Sequence, residues 1–220
     1  MITTSERDKI LSQCSSDDER IRTENLIRPI VRGKDIKKEM KWAGIWLINT
    51  HNGIRGLIDR IHIEDYPAVK SFLDIHWDKI SKRSDKGDTP YNLRNCAYYT
   101  DFAKPKIIYP ETTQGAYFVY DKDGMYIDKT CFMLISEDAE YLQMTLSSEL
   151  FEFAYKRIFS SIELGTSGYQ YNKHAILKLP IACPKDDHFK NVDDKNQYIF
   201  NLYGINDDEI EFIKQELTTK

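Results

Sequence analysis

No apolar run in this 220-residue chain approaches the ~18 residues that a membrane-spanning helix needs, and the N-terminus lacks the charged-then-apolar layout of a signal peptide. The expectation is a cytoplasmic protein with no membrane partner. Cysteine is scarce: Cys14, Cys96, Cys131 and Cys183 lie far apart with no Cys-x-x-Cys pairing, which argues against a zinc knuckle and a disulfide framework and for small buried apolar residues. No Ser nucleophile elbow and no Cys/His arrangement for nucleophilic catalysis is present, nor any internal repeat or low-complexity tract. Positive charge is not in excess either, since the formal net charge is −4.

That balance is a poor fit to a polyanion-binding surface until its distribution is considered. Residues 28 to 60 hold eight cations (Arg28, Arg32, Lys34, Lys37, Lys38, Lys41, Arg55, Arg60) against the three acids Asp35, Glu39 and Asp59. Residues 185 to 220 reverse it, with five lysines against nine acids. A basic body with an acidic tail can present one positive face. With 41% hydrophobic and 30% charged residues the composition is that of a globular protein, long enough for one sizeable core. We expect one domain over 1–184, followed by a polar linker and C-terminal helix over 185–220.

The chain is best read outward from Ile27-Arg28-Pro29-Ile30-Val31-Arg32-Gly33-Lys34-Asp35-Ile36. Ile27, Ile30 and Val31 suit a sheet, Pro29 an edge position or strand start, and Gly33 a turn at positive φ. Arg32 and Lys34 flank that turn, a fork and a point charge beside backbone that a phosphate can approach. An ordinary solvated turn with a salt bridge to Asp35 explains the same residues.

Before it, Thr3 and Glu6 have capping-box spacing and predict a short helix through Ile10 and Leu11, while residues 14 to 25 read as loop or frayed helix. Ile45 to Thr50 predicts a buried strand. A helix is expected from an Asp65 cap with Pro67 in its first turn, carrying the stripe Val69, Phe72, Leu73, His76, Trp77 and Ile80; His76 and Trp77 read as packing residues. The loop from Ser81 to Arg94 is basic and carries Lys82, Arg83, Lys86, Tyr91 and Arg94, a composition compatible with tracking a backbone and stacking on a base, or with simple solvation. Lys104 and Lys106 bracket Pro105 ahead of a strand at Ile107-Ile108, and the loop Glu111 to Gly115 exposes Gln114, a side chain suited to adenine, or else a plain surface turn. Residues 116–120 and 125–128 around Asp121-Lys122-Asp123-Gly124 predict a β-hairpin, and a calcium loop is rejected because the terminal Glu is missing.

Cys131 to Ile135 predicts a strand, Ser136 a cap for a helix to about Leu146, and Leu150, Phe151, Ala154, Tyr155 and Ile158 one face of the next helix. Leu164 to Asn172 is a Gly/Ser/Tyr loop in which Tyr169 and Tyr171 either contact a ligand or pack back onto the body. Lys178 to Pro184 reads as extended, and Asn206 with Glu209 caps a final acidic helix facing inward through Ile210, Ile213 and Leu217. The expected class is α+β, a mixed sheet with packed helices and a small helical appendage.

The basic decamer is followed in order by Trp46-Leu47-Ile48, Asp65-Tyr66-Pro67, Arg83-Ser84-Asp85-Lys86-Gly87, Tyr91-Asn92-Leu93-Arg94 and Phe102-Ala103-Lys104-Pro105-Lys106-Ile107-Ile108. Leu146-Ser147-Ser148-Glu149-Leu150, Leu179-Pro180-Ile181 and Leu202-Tyr203-Gly204-Ile205 complete it. Across residues 20 to 217 this series resembles the TaqI-like C-terminal specificity domain, the target-recognition part of adenine-specific DNA methyltransferases and fused type IIG restriction-modification enzymes. The resemblance implies sequence-specific recognition of double-stranded DNA, with methyltransferase and, in fused enzymes, nuclease domains on the same polypeptide. It implies that Arg32, Gly33, Lys34, Arg83, Lys86, Arg94 and Lys104 meet phosphates while Tyr91, Gln114, Tyr169 and Tyr171 serve as further DNA contacts. In the family a further segment precedes the point matching Met1, so a larger polypeptide is expected.

The Asn/Asp-Pro-Pro-Tyr motif that holds an extruded adenine and the Gly-rich turn for the methyl donor are both missing. S-adenosylmethionine and Mg²⁺ are therefore expected in other parts of the parent enzyme and no cofactor in this chain. Asp35-Ile36-Lys37 reads as D-x-K without an upstream Pro-Asp, leaving a metal-dependent nuclease as one alternative. A protein-interaction or regulatory domain is the other.

Overall fold

The computed structural model describes residues 1–159, 168–183 and 187–218. The chain divides into two compact units, Met1–Ile30 with Trp42–Ala103, and Val31–Lys41 with Lys104–Lys220.

In the first unit, β1 (Ile2–Thr3) and β2 (Ile27–Val31, up to Ile30) flank β3 (Ile45–Ile48), both antiparallel to it, in the register Ile2↔Trp46 and Ile27↔Ile48. α1 (Thr4–Ser12) starts where the sequence places it: Thr3 Oγ1 accepts the Glu6 N–H at 3.2 Å and Glu6 Oε2 accepts the Thr3 N–H at 2.7 Å. The following stretch, expected to be loop or frayed helix, is α2 (Asp17–Leu26). It escapes apolar periodicity because two of its three buried residues are polar, Glu19 and Thr23, with Leu26 the third.

Glu19 explains this. Its Oε2 accepts the Ser15 N–H and hydroxyl, both at 2.8 Å, and its Oε1 accepts the Ala68 N–H at 3.0 Å. Ala68 lies in the first turn of α3 (Pro67–Asp74), so the carboxylate that satisfies this helix start comes from α2, and Asp65 sits instead in a 3₁₀ turn, Ile63–Asp65. Burial pushes the Glu19 carboxyl up, but the hydrogen bonds from Ser15 and Ala68 hold it below the usual range. Val69 packs with Ile10, Leu26, Ile27 and Ile63 in this unit's core. The long helix expected through Ile80 breaks at Ile75 and His76, and α4 (Trp77–Ile80) restarts it with Trp77 tilted against Tyr91 at 5.4 Å between ring centroids.

In the second unit β4 (Lys106–Pro110) is the centre of a three-stranded antiparallel sheet between β6 (Val119–Asp121) and β8 (Cys131–Leu134), in the registers Ile108↔Val119 and Ile108↔Met133. β5 (Thr112–Thr113) pairs with β9 (Tyr169–Gln170). The predicted hairpin is corrected here. β6 pairs with β4, and β7 (Tyr126–Ile127) runs instead beside Val31, the end of β2 that belongs to this unit, where Asp128 N–H donates to Val31 O at 3.0 Å. Asp121 turns the chain: its fully buried carboxylate meets Lys106 Nζ at 2.5 Å and accepts the N–H groups of Asp123 and Met125 at 3.0 and 2.9 Å.

α5 (Ala139–Leu146) and α6 (Glu149–Ile158) cover the sheet, with Tyr109, Phe118, Tyr141, Phe151 and Tyr155 filling the core. α5 begins two residues later than expected; Ser136 Oγ instead accepts the Asp138 N–H at 3.1 Å. After the short α7 (Lys173–Ile176) the chain turns at Leu177 and Lys178, and Leu179 to Cys183 form no strand. α8 (Lys195–Leu202), beginning inside the expected linker, and α9 (Asp207–Thr218) pack Phe200, Ile210 and Ile213 against Leu150 and Phe153 of α6. Asn206 and Glu209 make the predicted cap with bonds of 2.9 and 3.0 Å. The class is α+β.

Candidate nucleic-acid interface

The loop from Arg32 to Lys41 in the second unit is folded by its own polar groups. Arg32 Nε and Nη2 donate to Asp35 Oδ2 and Oδ1 at 2.9 and 3.0 Å, and Oδ2 also accepts the Arg32 N–H at 3.0 Å. Hydrogen bonding to Arg32 holds the Asp35 carboxyl below its ordinary value, and the same bond raises the guanidinium. The bidentate face of the Arg32 guanidinium is thus engaged within its own loop.

The positive-φ turn expected at Gly33 is corrected. Gly33 is not among the glycines at positive φ, and its N–H, expected to face outward, donates to Thr130 Oγ1 at 2.8 Å. A Cβ there would meet Thr130 O at 3.0 Å, Thr130 Oγ1 at 3.1 Å and Pro110 Cβ at 3.3 Å. Close approach of two segments, not a left-handed turn, is what requires glycine here.

Lys41 N–H donates to Asp35 O at 2.8 Å, Lys37 N–H to Glu39 O at 3.0 Å, and Ile36 bridges to Met40. Ile36 is buried with Val31, Ile108, Met125 and Cys131, which leaves Lys34, Lys37, Lys38 and Lys41 exposed on the outside of the loop. None of these four ammonium groups makes a hydrogen bond or ion pair with a described residue. They share a shallow depression with Asp35, Glu39 and Tyr117. A second depression is lined by Arg32, Gly33, Lys34, Glu111, Thr112, Asp128 and Thr130, so carboxylates stand among its cations. Glu111 accepts from Gln170 Nε2 at 2.9 Å and Asp128 from the Thr130 N–H at 2.9 Å.

Gln114 is exposed just past β5, and Lys104 is exposed ahead of β4, whereas its neighbour Lys106 is fully buried. Tyr169 and Tyr171, expected as contacts or as rings packed onto the body, are both buried. They are 6% and 2% exposed, and the Tyr171 ring stacks on Tyr155 with centroids 4.1 Å apart at 9°. Burial raises the Tyr171 hydroxyl well above its ordinary value. The reading in which they pack onto the body holds; residues 164–167 of that expected loop lie outside the described residues.

In the first unit Arg83 is half-buried and its Nη2 donates to Pro90 O and Asn92 O at 3.2 and 2.8 Å, tying the 81–94 loop together. Tyr91 donates to Asp74 Oδ1 at 2.5 Å and is covered by Trp77 and Lys70. Both side chains act as internal ties in this unit. Buried Asn92 donates to Ile61 O at 2.9 Å, and Leu93 N–H to Thr50 O at 2.8 Å, which fixes this loop on residues 50–61. Lys86 is exposed with its Nζ on Ser81 O at 3.0 Å, and Arg94 is exposed with no hydrogen bond or ion pair to a described residue.

The structure therefore groups Arg32, Gly33 and Lys34 on one loop and Arg83, Lys86, Tyr91 and Arg94 on another, in different units. Lys37, Lys38, Lys41 and Arg55 are counted in the basic stretch 28–60 but not among the residues expected at DNA: the lysines alternate with acids as in an ordinary charged turn, and the exposed place of Arg55 rests on tertiary bonds.

The model of the TaqI-like C-terminal specificity domain family matches residues 28–181. Type II methyltransferase M.BanIII of Aneurinibacillus aneurinilyticus is 21% identical over 156 residues, 67% of this chain and 27% of that methyltransferase. The chain thus spans only about 27% of the length of this curated relative. With most of its length covered by the family model, the chain belongs to the family of TaqI-like C-terminal specificity domains.

Proposed function

We propose that this chain binds duplex DNA and selects the target site for an adenine-specific methyltransferase, or for a type IIG enzyme with an added nuclease, carried on the same polypeptide in the cytoplasm. Within that role it supplies recognition and no chemistry. The observation that carries the reading is the loop of Lys34, Lys37, Lys38 and Lys41, four exposed ammonium groups with no hydrogen bond or ion pair to a described residue, on a backbone clamped by Arg32 and Asp35. Point charges on a prearranged loop suit phosphate oxygens, which accept from any sequence and fix register. Lys86 and Arg94 extend the phosphate contacts to the first unit, Lys104 to the second, and Gln114 offers an amide to a base edge.

S-adenosylmethionine and Mg²⁺ belong, in this reading, to the other parts of the polypeptide. The residues here do not fit the methyl donor or an extruded adenine, as no strand leads into a G-x-G and no proline follows another.

Electrophoretic shift of a duplex across a salt series tests the proposal. Binding that falls steeply with salt supports it; a chain that shifts no duplex at low salt, yet captures a protein partner, favours the interaction-domain reading.

A further inference from the structure

The tip Arg55-Gly56-Leu57 in the first unit is a tight turn closed by the single bridge Ile54↔Ile58, with an apolar side chain held out in solvent. Ile54 N–H donates to Ile58 O at 2.8 Å, and Ile54 O accepts the N–H groups of Leu57 and Ile58, both at 2.9 Å. Gly56, third in that turn, has φ 76° with nothing within 4 Å of an added Cβ, so it serves backbone conformation alone. Gly53 has φ 73° and no room for a Cβ, which would lie 2.4 Å from Ile58 O. Below the tip, Ile61 N–H donates to His51 O at 3.0 Å, and the Asn52 amide bonds Asp88 Oδ1 at 3.0 Å and Asn95 Oδ1 at 2.5 Å.

This anchoring presents Leu57 at 72% exposure. Beside it stands Arg55, exposed and with no hydrogen bond or ion pair to a described residue. Fixing a tip costs conformational entropy, and holding a leucine in water gains nothing in the free protein. A leucine cannot hold a phosphate, whereas on a base edge its chemistry matches a single group, the thymine 5-methyl in the major groove, a groove wide enough for a turn of two adjoining chain segments.

Resting on the DNA-recognition reading above, we infer that this tip enters the major groove, where Leu57 packs on a thymine 5-methyl and Arg55 holds the adjoining strand. Leu57 is then a specificity-determining residue.

Duplexes recovered by the full chain from a randomised pool, resynthesised with uracil at each thymine in turn, provide the test. The wild type should bind about fourfold more weakly when one particular thymine loses its methyl, the equivalent of ~0.8 kcal/mol. Leu57→Ala should abolish that difference, and Leu57→Met should retain it. Recovered duplexes without thymine, indifference of the wild type to uracil, or a thymine preference unchanged in Leu57→Ala would each overturn the inference while leaving salt-dependent duplex binding intact. Absence of any duplex binding would overturn the DNA-recognition reading itself, and this inference with it.

Discussion

Arg32 and Asp35 close on each other through two parallel hydrogen bonds of 2.9 and 3.0 Å, three residues apart in sequence. The pair shapes the loop that presents Lys34, Lys37, Lys38 and Lys41. Arg32→Ala is therefore expected to raise amide exchange over residues 33–41 and to weaken duplex binding, while Arg32→Lys, which keeps charge but lacks the fork, restores little of either. Equal exchange in wild type and Arg32→Ala would show that the clamp does not order the loop.

Gly33→Ala should cost about 1–3 kcal/mol, the range for overpacking, because the new Cβ meets Thr130 O at 3.0 Å. Chemical denaturation measures it. A midpoint equal to that of the wild type would mean that the 130 turn yields freely.

Glu19 links α2 to the start of α3, and its carboxyl lies below the ordinary range in the folded chain, the Ser15 and Ala68 bonds outweighing the effect of burial. A lowered folded-state pKa stabilises fully above the unfolded value, ~4.3, and this contribution disappears as pH falls through the folded value. Glu19→Gln should cost about 1–2 kcal/mol at pH 7, and the gap to wild type should close as the pH drops below ~4. A gap independent of pH would assign the effect to shape rather than charge.

Lys106 and Asp121 are both without exposed side-chain area and meet at 2.5 Å. Lys106→Ala leaves the carboxylate buried and unpaired, so a loss of about 3–5 kcal/mol is expected. Calorimetric melting checks it, and a loss under about 1 kcal/mol would mean that water reaches Asp121.

How much of this was legible depended on whether the deciding partner lay nearby in sequence. Thr3 with Glu6 and Asn206 with Glu209 announce two helices because their caps are local. α2 hides because its inward face is Thr23 and Glu19, the latter bonded to Ala68, far along the chain. The residues around Asp121 imitate a hairpin until Lys106 draws that carboxylate into the core. At the candidate site both readings of Arg32 were open from composition; the fold selected the bond to Asp35 and left the lysines exposed. Tyr171 reads equally as loop or core until its stack on Tyr155 is seen.

The salt dependence of duplex affinity tests the central claim most directly, measured for the wild type and for a variant with Lys37, Lys38 and Lys41 all changed to alanine. If these side chains hold phosphates, the slope of log affinity against log salt becomes shallower by about 2–3, roughly 0.9 for each phosphate that is no longer neutralised. An unchanged slope, or a wild type with no measurable affinity for duplex at low salt, would contradict the account.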